Sequence, residues 1–140
     1  AAAPAGARAD GATTPPLLGQ RVLVVDDEAS IRDGLALLLG QWGCVVTVAA
    51  DHEEALALAG HPVDAMLTDL RLPRGHSGLD TVLALRQRQG PNLPACLITG
   101  ESDPEVLRAA RHSGVPLLHK PVRAAQLRST LLHLLSDKAA

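Results

Sequence analysis

The sequence predicts an α/β domain built on a single parallel sheet of five strands with helices on both faces, and three observations carry that reading. From Arg21 onward, short aliphatic runs alternate with longer segments whose apolar residues recur at helical spacing. The runs are nearly continuous in Val, Leu, Ile and Ala, as strands must be when both faces of a sheet are covered. Four of the five runs then stop on a polar residue.

The runs are RVLVVD at 21–26, CVVTV at 44–48, VDAMLTD at 63–69, ACLIT at 95–99 and VPLLHK at 115–120. Between the first two, Ile31, Leu35, Leu38 and Trp42 define a helical face, and Gly43 follows as a stop. Asp51 with Glu54 opens a second helix and Ser77 with Asp80 a third, each pair spaced to cap free backbone N–H groups. Ser102, Asp103 and Pro104 open a fourth, which Gly114 closes. The fifth begins near Val122 and carries Leu127, Leu131, Leu134 and Leu135 on one side. The loop PRGHSG, residues 73–78, is rich in glycine and follows the third strand directly.

At 140 residues the chain fits one domain. Residues 1–19, rich in Ala, Pro, Gly and Thr without periodicity, read as a flexible linker, and residues 20–138 as the domain. The net charge of −2 and the lack of a basic stripe argue against direct contact with nucleic acid or an anionic membrane. One Trp, with no Phe or Tyr, leaves no platform for stacking bases and a core of aliphatic residues. No apolar stretch approaches the roughly 20 residues that span a bilayer. Cys44 and Cys96 lie inside apolar runs, which suits buried free thiols in a reducing compartment. There is no G-x-G-x-x-G and no P-loop.

The residues that end the strands carry the functional signal. The first run ends on Asp26 and Asp27, the third on Asp69, the fourth on Thr99 and the fifth on Lys120; the second, read as an edge, ends on alanines. In an open parallel sheet these carboxyl ends lie side by side, and ligands bind in the crevice there. Three carboxylates in one place repel each other, and the remedy at neutral pH is a hard divalent cation bound through oxygen, most often Mg²⁺. Such a cation beside a carboxylate, a lysine and a hydroxyl makes a receptacle for a phosphoryl group, with Asp69 placed to attack phosphorus.

The strings VLVVDDE, LTDLRLP, LITG and LLHKPV, in this order and spacing, resemble the receiver domain of two-component response regulators from residue 21 to about 136. The resemblance implies a flavodoxin-like (βα)₅ fold with strand order 2-1-3-4-5. It implies that Asp69 is the phospho-acceptor and that Mg²⁺ is held by Asp26, Asp27, Asp69 and the backbone carbonyl of Arg71. Thr99 becomes the switch hydroxyl, Lys120 the phosphate-binding cation, and Pro121 follows a cis peptide bond. The donor is then a histidine kinase or histidine phosphotransfer domain, and the module is cytoplasmic, monomeric in isolation, and a signalling phospho-acceptor rather than an enzyme. With a linker in front and no output domain after the fifth helix, the chain reads as a stand-alone receiver or the C-terminal receiver of a hybrid kinase.

Two departures stand out. Leu117 occupies the place where the family usually carries a Tyr or Phe, which removes the ring that relays phosphorylation and points to passing the phosphoryl group on, or tuning an attached kinase, as the output. The loop from Pro73 to Gly78 is about one residue longer than usual. Two other readings compete: a hydrolase with an aspartyl-phosphate intermediate, disfavoured because the acids are adjacent and no segment can form a cap, and a pseudo-receiver, disfavoured by the complete set of five polar residues.

Overall fold

The computed structural model describes residues 16–139. Five strands, β1 (Arg21–Val25), β2 (Val45–Ala49), β3 (Ala65–Asp69), β4 (Ala95–Thr99) and β5 (Leu117–His119), alternate with five helices: α1 (Ala29–Gln41), α2 (His52–Ala57), α3 (Gly78–Gln89), α4 (Pro104–His112) and α5 (Ala124–Ala139). All strand pairings are parallel, in the order β2-β1-β3-β4-β5. The predicted fold and strand order are those observed.

Alternation along each strand feeds two apolar layers. Val22, Val24, Leu67, Ile98 and Leu118 face one side, where Leu39 of α1 and Leu127 and Leu131 of α5 close over them. Leu23, Val25, Met66 and Leu97 face the other, against Ala55 of α2, Val82 and Leu85 of α3, and Ala110 of α4. Every residue of β3 and β4 is buried, which is why both read as largely apolar runs, with Thr68 the buried polar residue ahead of Asp69. At the edge, β2 leaves Val45 and Val48 exposed.

Local chemistry sets the boundaries. Asp51 accepts the Glu54 N–H at 2.8 Å and starts α2; Ser77 and Asp80 exchange side-chain-to-backbone bonds at 3.1 Å each and start α3. Asp103 does the same for α4 by accepting from the Glu105 N–H. Helix α1 ends as expected, with Gly43 at φ +90°. Its one fully buried side chain, however, is Leu39, whereas Ile31, Leu35, Leu38 and Trp42 are only half-buried. The expected face is the one that meets the sheet, with Leu35, Leu38 and Trp42 packed against the same layer as Leu39, while Ile31, Leu35 and Leu38 also border an open groove. Helix α5 starts at Ala124, two residues later than expected, with the Leu127 N–H bonding the Arg123 carbonyl at 2.9 Å.

Of the linker expected over residues 1–19, residues 1–15 lie outside the described residues. Residues 16–19 form a turn in which Leu17 is 1% exposed within the α1 and α5 layer, and the Gly19 N–H bonds the Gly43 carbonyl at 2.8 Å. Packing therefore begins ahead of residue 20, because an aliphatic side chain gains by filling the end of that layer. No helix among the described residues is long and apolar enough to cross a membrane.

Candidate functional site: an acidic crevice with one lysine

Parallel pairing places the carboxyl ends of β1, β3, β4 and β5 along one edge of the sheet, and all the residues singled out in the sequence lie there or in the first residues beyond. Asp26 continues β1: its N–H bonds the Ala49 carbonyl at 3.1 Å, so its backbone is fixed by the sheet while its side chain projects beyond it. One carboxylate oxygen accepts the Glu28 N–H at 2.9 Å. Asp69 is the last residue of β3, and its neighbour Leu70 bonds Ile98 of β4. Asp26 is 2% exposed and Asp69 9%, while Asp27 is open to solvent. One carboxylate oxygen from each of the three can be chosen so that all lie within 4.8 Å of one another.

Lys120 supplies the compensating charge. Its N–H bonds the Thr99 carbonyl at 2.8 Å, which carries β5 one residue past its last named position. Its Nζ lies 3.2 Å from Asp69 Oδ2 and 3.3 Å from Asp26 Oδ2, with Glu28 Oε1 at 3.9 Å. Burial draws the lysine pKa down, but the carboxylates of Asp69 and Asp26 outweigh it and the net shift is upward. Asp69 is also raised, first by burial and then by the charge of Asp26, with Lys120 opposing both. A carboxylate that is raised beside an ammonium is one whose ionised form is still short of partners. Three oxygens of this hard donor type fit a divalent cation such as Mg²⁺.

Thr99 is 1% exposed. Its hydroxyl oxygen accepts the Glu101 N–H at 2.7 Å, which orients the group within the crevice. Arg71 stands two residues beyond Asp69, and its N–H reaches Asp69 Oδ1 at 3.3 Å. The peptide bond between Lys120 and Pro121 is cis. Leu117 lies half-buried on β5 against the α2, α3 and α4 layer.

Four contributors were not identified from the sequence. Arg32 donates to the Asp26 carbonyl at 2.7 Å from the first turn of α1. Glu28 stands beside Lys120, in line with the acid pair it follows. Glu101 forms an ion pair with the Arg71 guanidinium across the mouth of the crevice. Gly78 opens α3 so close to β3 that a Cβ there would fall 2.1 Å from the Asp69 carbonyl oxygen. Only a residue without Cβ fits, and an isolated glycine at a helix start gives that signal only once the loop is known to fold back.

Beside Lys120, a groove of about 520 Å³ is lined by Ile31, Leu35, Leu38, Ile98, Pro121 and Val122. Its floor is apolar, and Lys120 leads from it into the crevice.

Known proteins resemble this chain in sequence and fold. The chain is 38% identical over 125 residues to the response regulator protein PilR of Pseudomonas aeruginosa, a match covering 86% of this chain and 28% of that protein. It is 34% identical over 99 residues to the CAI-1 autoinducer sensor kinase/phosphatase CqsS of Vibrio cholerae, covering 69% and 14% respectively. Both relatives are thus much longer than the matched segment. Among solved structures, the chemotaxis protein CheY4 of Vibrio cholerae superposes with a TM-score of 0.74 at 33% identity, covering 84% of this chain and 99% of that one. A receiver domain from Clostridium thermocellum gives 0.77 at 27% identity, covering 86% and 97%. The response regulator receiver domain family matches residues 22–132, from the first strand into the last helix, and the chain belongs to that family.

Proposed function

We propose that Asp69 accepts a phosphoryl group from a phosphohistidine on a histidine kinase or phosphotransfer domain, and that the module passes it on as a signal. The observation that carries this is the position of Lys120 Nζ, 3.2 Å from Asp69 Oδ2, in a crevice with two further carboxylates and a buried hydroxyl. A structural ion pair needs neither the extra acids nor the hydroxyl.

In the proposed reaction an Asp69 carboxylate oxygen attacks phosphorus, the P–N bond of the donor breaks, and the imidazole leaves with the bonding pair. Lys120 pairs with the phosphoryl oxygens once Asp69 is esterified. Thr99 donates its hydroxyl proton to one of them, held for that purpose by the Glu101 N–H. A Mg²⁺ ion held by Asp26, Asp27, Asp69 and the Arg71 carbonyl would supply the remaining neutralisation of phosphoryl charge. The groove beside Lys120 offers an apolar seat for a donor helix, which supports a helical kinase or phosphotransfer partner. With Leu117 in place of a ring, relay of the phosphoryl group or control of an attached kinase fits better than a ring-driven dimer switch. The likeness to a sensor kinase/phosphatase is in keeping with a hybrid arrangement. On this reading the module is a cytoplasmic, monomeric phospho-acceptor and not an enzyme acting on an outside substrate.

The test is intact mass after incubation with acetyl phosphate and Mg²⁺. Wild type gains one base-labile phosphate, and Asp69→Asn gains none. No gain in wild type would establish a phosphorylation-independent module, and a base-stable adduct on Ser or Thr would remove Asp69 from its role.

A further inference from the structure

The loop after β3 closes on itself. Arg71 pairs with Ser77 in a short antiparallel bridge, and the Leu72 N–H bonds the His76 carbonyl at 3.0 Å. At its tip Arg74 has φ 62° and ψ 34°, the only positive-φ residue other than glycine among the described residues. The left-handed region is strained for an L residue and persists where the surroundings over-determine it.

Helix α2 provides those surroundings. Arg74 Nη2 lies 2.6 Å from Asp51 Oδ2 and 2.9 Å from Glu53 Oε1. The other oxygen of Glu53 meets His76 Nε2 at 3.1 Å. The His76 ring stacks on His52, with centroids 4.1 Å apart and 10° between planes, and His52 Nδ1 bonds Thr81 Oγ1 at 2.8 Å. Asp51 uses its second oxygen to cap α2, so the anchor is itself fixed. Two acids of α2 therefore grip both the tip and the returning limb of the loop that carries Arg71.

We propose that Arg74, held by Asp51 and Glu53, is a positioning residue for the divalent cation: it keeps the 71–77 loop closed and so holds the Arg71 backbone against Asp69. The inference rests on the reading of Asp26, Asp27, Asp69 and Arg71 as the cation site. Arg74 and Glu53 are largely exposed, so their pairing adds little to global stability. Its effect falls on the loop.

The test is a Mg²⁺ titration followed through the backbone amide resonances of Asp26, Asp27, Asp69 and Arg71. Arg74→Gly removes the grip while relieving the left-handed backbone. Its Mg²⁺ affinity should fall about fivefold, the loss expected when exposed charge pairs are removed. Arg74→Lys, which keeps the charge but loses the planar Nη2 that meets both acids, should lie in between, and Glu53→Gln should also weaken binding. Melting temperatures without Mg²⁺ should stay within about 2 °C of wild type. An affinity of Arg74→Gly within about twofold of wild type overturns the proposal; should that variant misfold, Glu53→Gln decides by the same criterion. Wild type that shows no saturable shifts removes the cation site and this inference with it, whereas wild-type binding with unaltered variants removes this inference alone.

Discussion

Replacing Lys120 with methionine keeps most of the side chain's bulk and deletes the one cation shared by Asp26 and Asp69. At an effective dielectric of about 20, a unit charge 3.2 Å from a carboxylate is worth about 5 kcal/mol in gross attraction. Desolvation of the three groups offsets most of that. Removing one member of a fully buried pair costs about 3–5 kcal/mol, because the remaining charge is stranded. Lys120 retains 22% side-chain exposure, and Asp69 can escape by taking up a proton, so a cost of about 2 kcal/mol is expected. For a domain of this size that is a fall of roughly 8 °C in melting temperature. The pH dependence has a definite sign. The Asp69 pKa is already raised, and removing Lys120 takes away a contribution that lowers it. The penalty is therefore full at pH 8, where Asp69 is ionised, and shrinks as pH falls through its raised pKa and the proton replaces the lost ammonium. In wild type the ion pair's contribution is lost on the basic side as pH rises through the raised Lys120 pKa, and on the acid side as Asp69 takes up its proton. Thermal melts of both proteins between pH 5 and 9, with and without Mg²⁺, check this. Mg²⁺ should stabilise Lys120→Met by more than it stabilises wild type, since it meets acids with no competing cation. A variant melting within about 1 °C of wild type at pH 8 would refute the reasoning, because such a lysine contributes no more than a solvated surface charge.

Two further outcomes follow from the packing. Gly78→Ala places a methyl 2.1 Å from the Asp69 carbonyl oxygen and 3.0 Å from Thr68 Oγ1, so β3 or the start of α3 must move; a loss of about 2–3 kcal/mol and slower phosphorylation by acetyl phosphate are expected, against an unchanged melt if the loop relaxes freely. Burial pushes the Cys96 thiol up to about 12 and raises Cys44 as well, so native protein at pH 8 should resist iodoacetamide and take two adducts per chain only in denaturant; rapid labelling of the native form would show that the layer beneath α5 opens readily.

Burial decided what was legible in the sequence. β3 and β4 are covered on both faces, so they are mainly apolar, and the polar residues that end them stood out as exceptions with a purpose. That logic reached Asp26, Asp69, Thr99 and Lys120, which the sheet holds by backbone pairing whatever the loops do. It did not reach Arg32, Arg71, Arg74 or Glu101 as side chains. Long side chains find partners through loop geometry, and no periodicity encodes whether Arg74 turns toward α2 or toward solvent. Leu39 was missed for a related reason. Leu39 lies one turn after Leu35 on the same face, and within the run Leu37–Leu39 the sequence alone does not say that Leu39 is the one covered while Leu37 is exposed. Leu17 sits in a stretch whose composition resembles a linker, and only the place left at the end of one layer shows that it packs.

The distances along the chain between the groups that meet at Lys120 bear on how the protein is made. Lys120 is 94 residues from Asp26 and 51 from Asp69. During synthesis both acids leave the ribosome well before the residue that neutralises them, and β5, on which that residue depends, pairs only with β4. An incomplete chain therefore holds the repulsion of the carboxylates without the ammonium that relieves it. Charge balance at this edge of the sheet arrives with the last strand, and a chain that ends before it keeps the acids without their lysine.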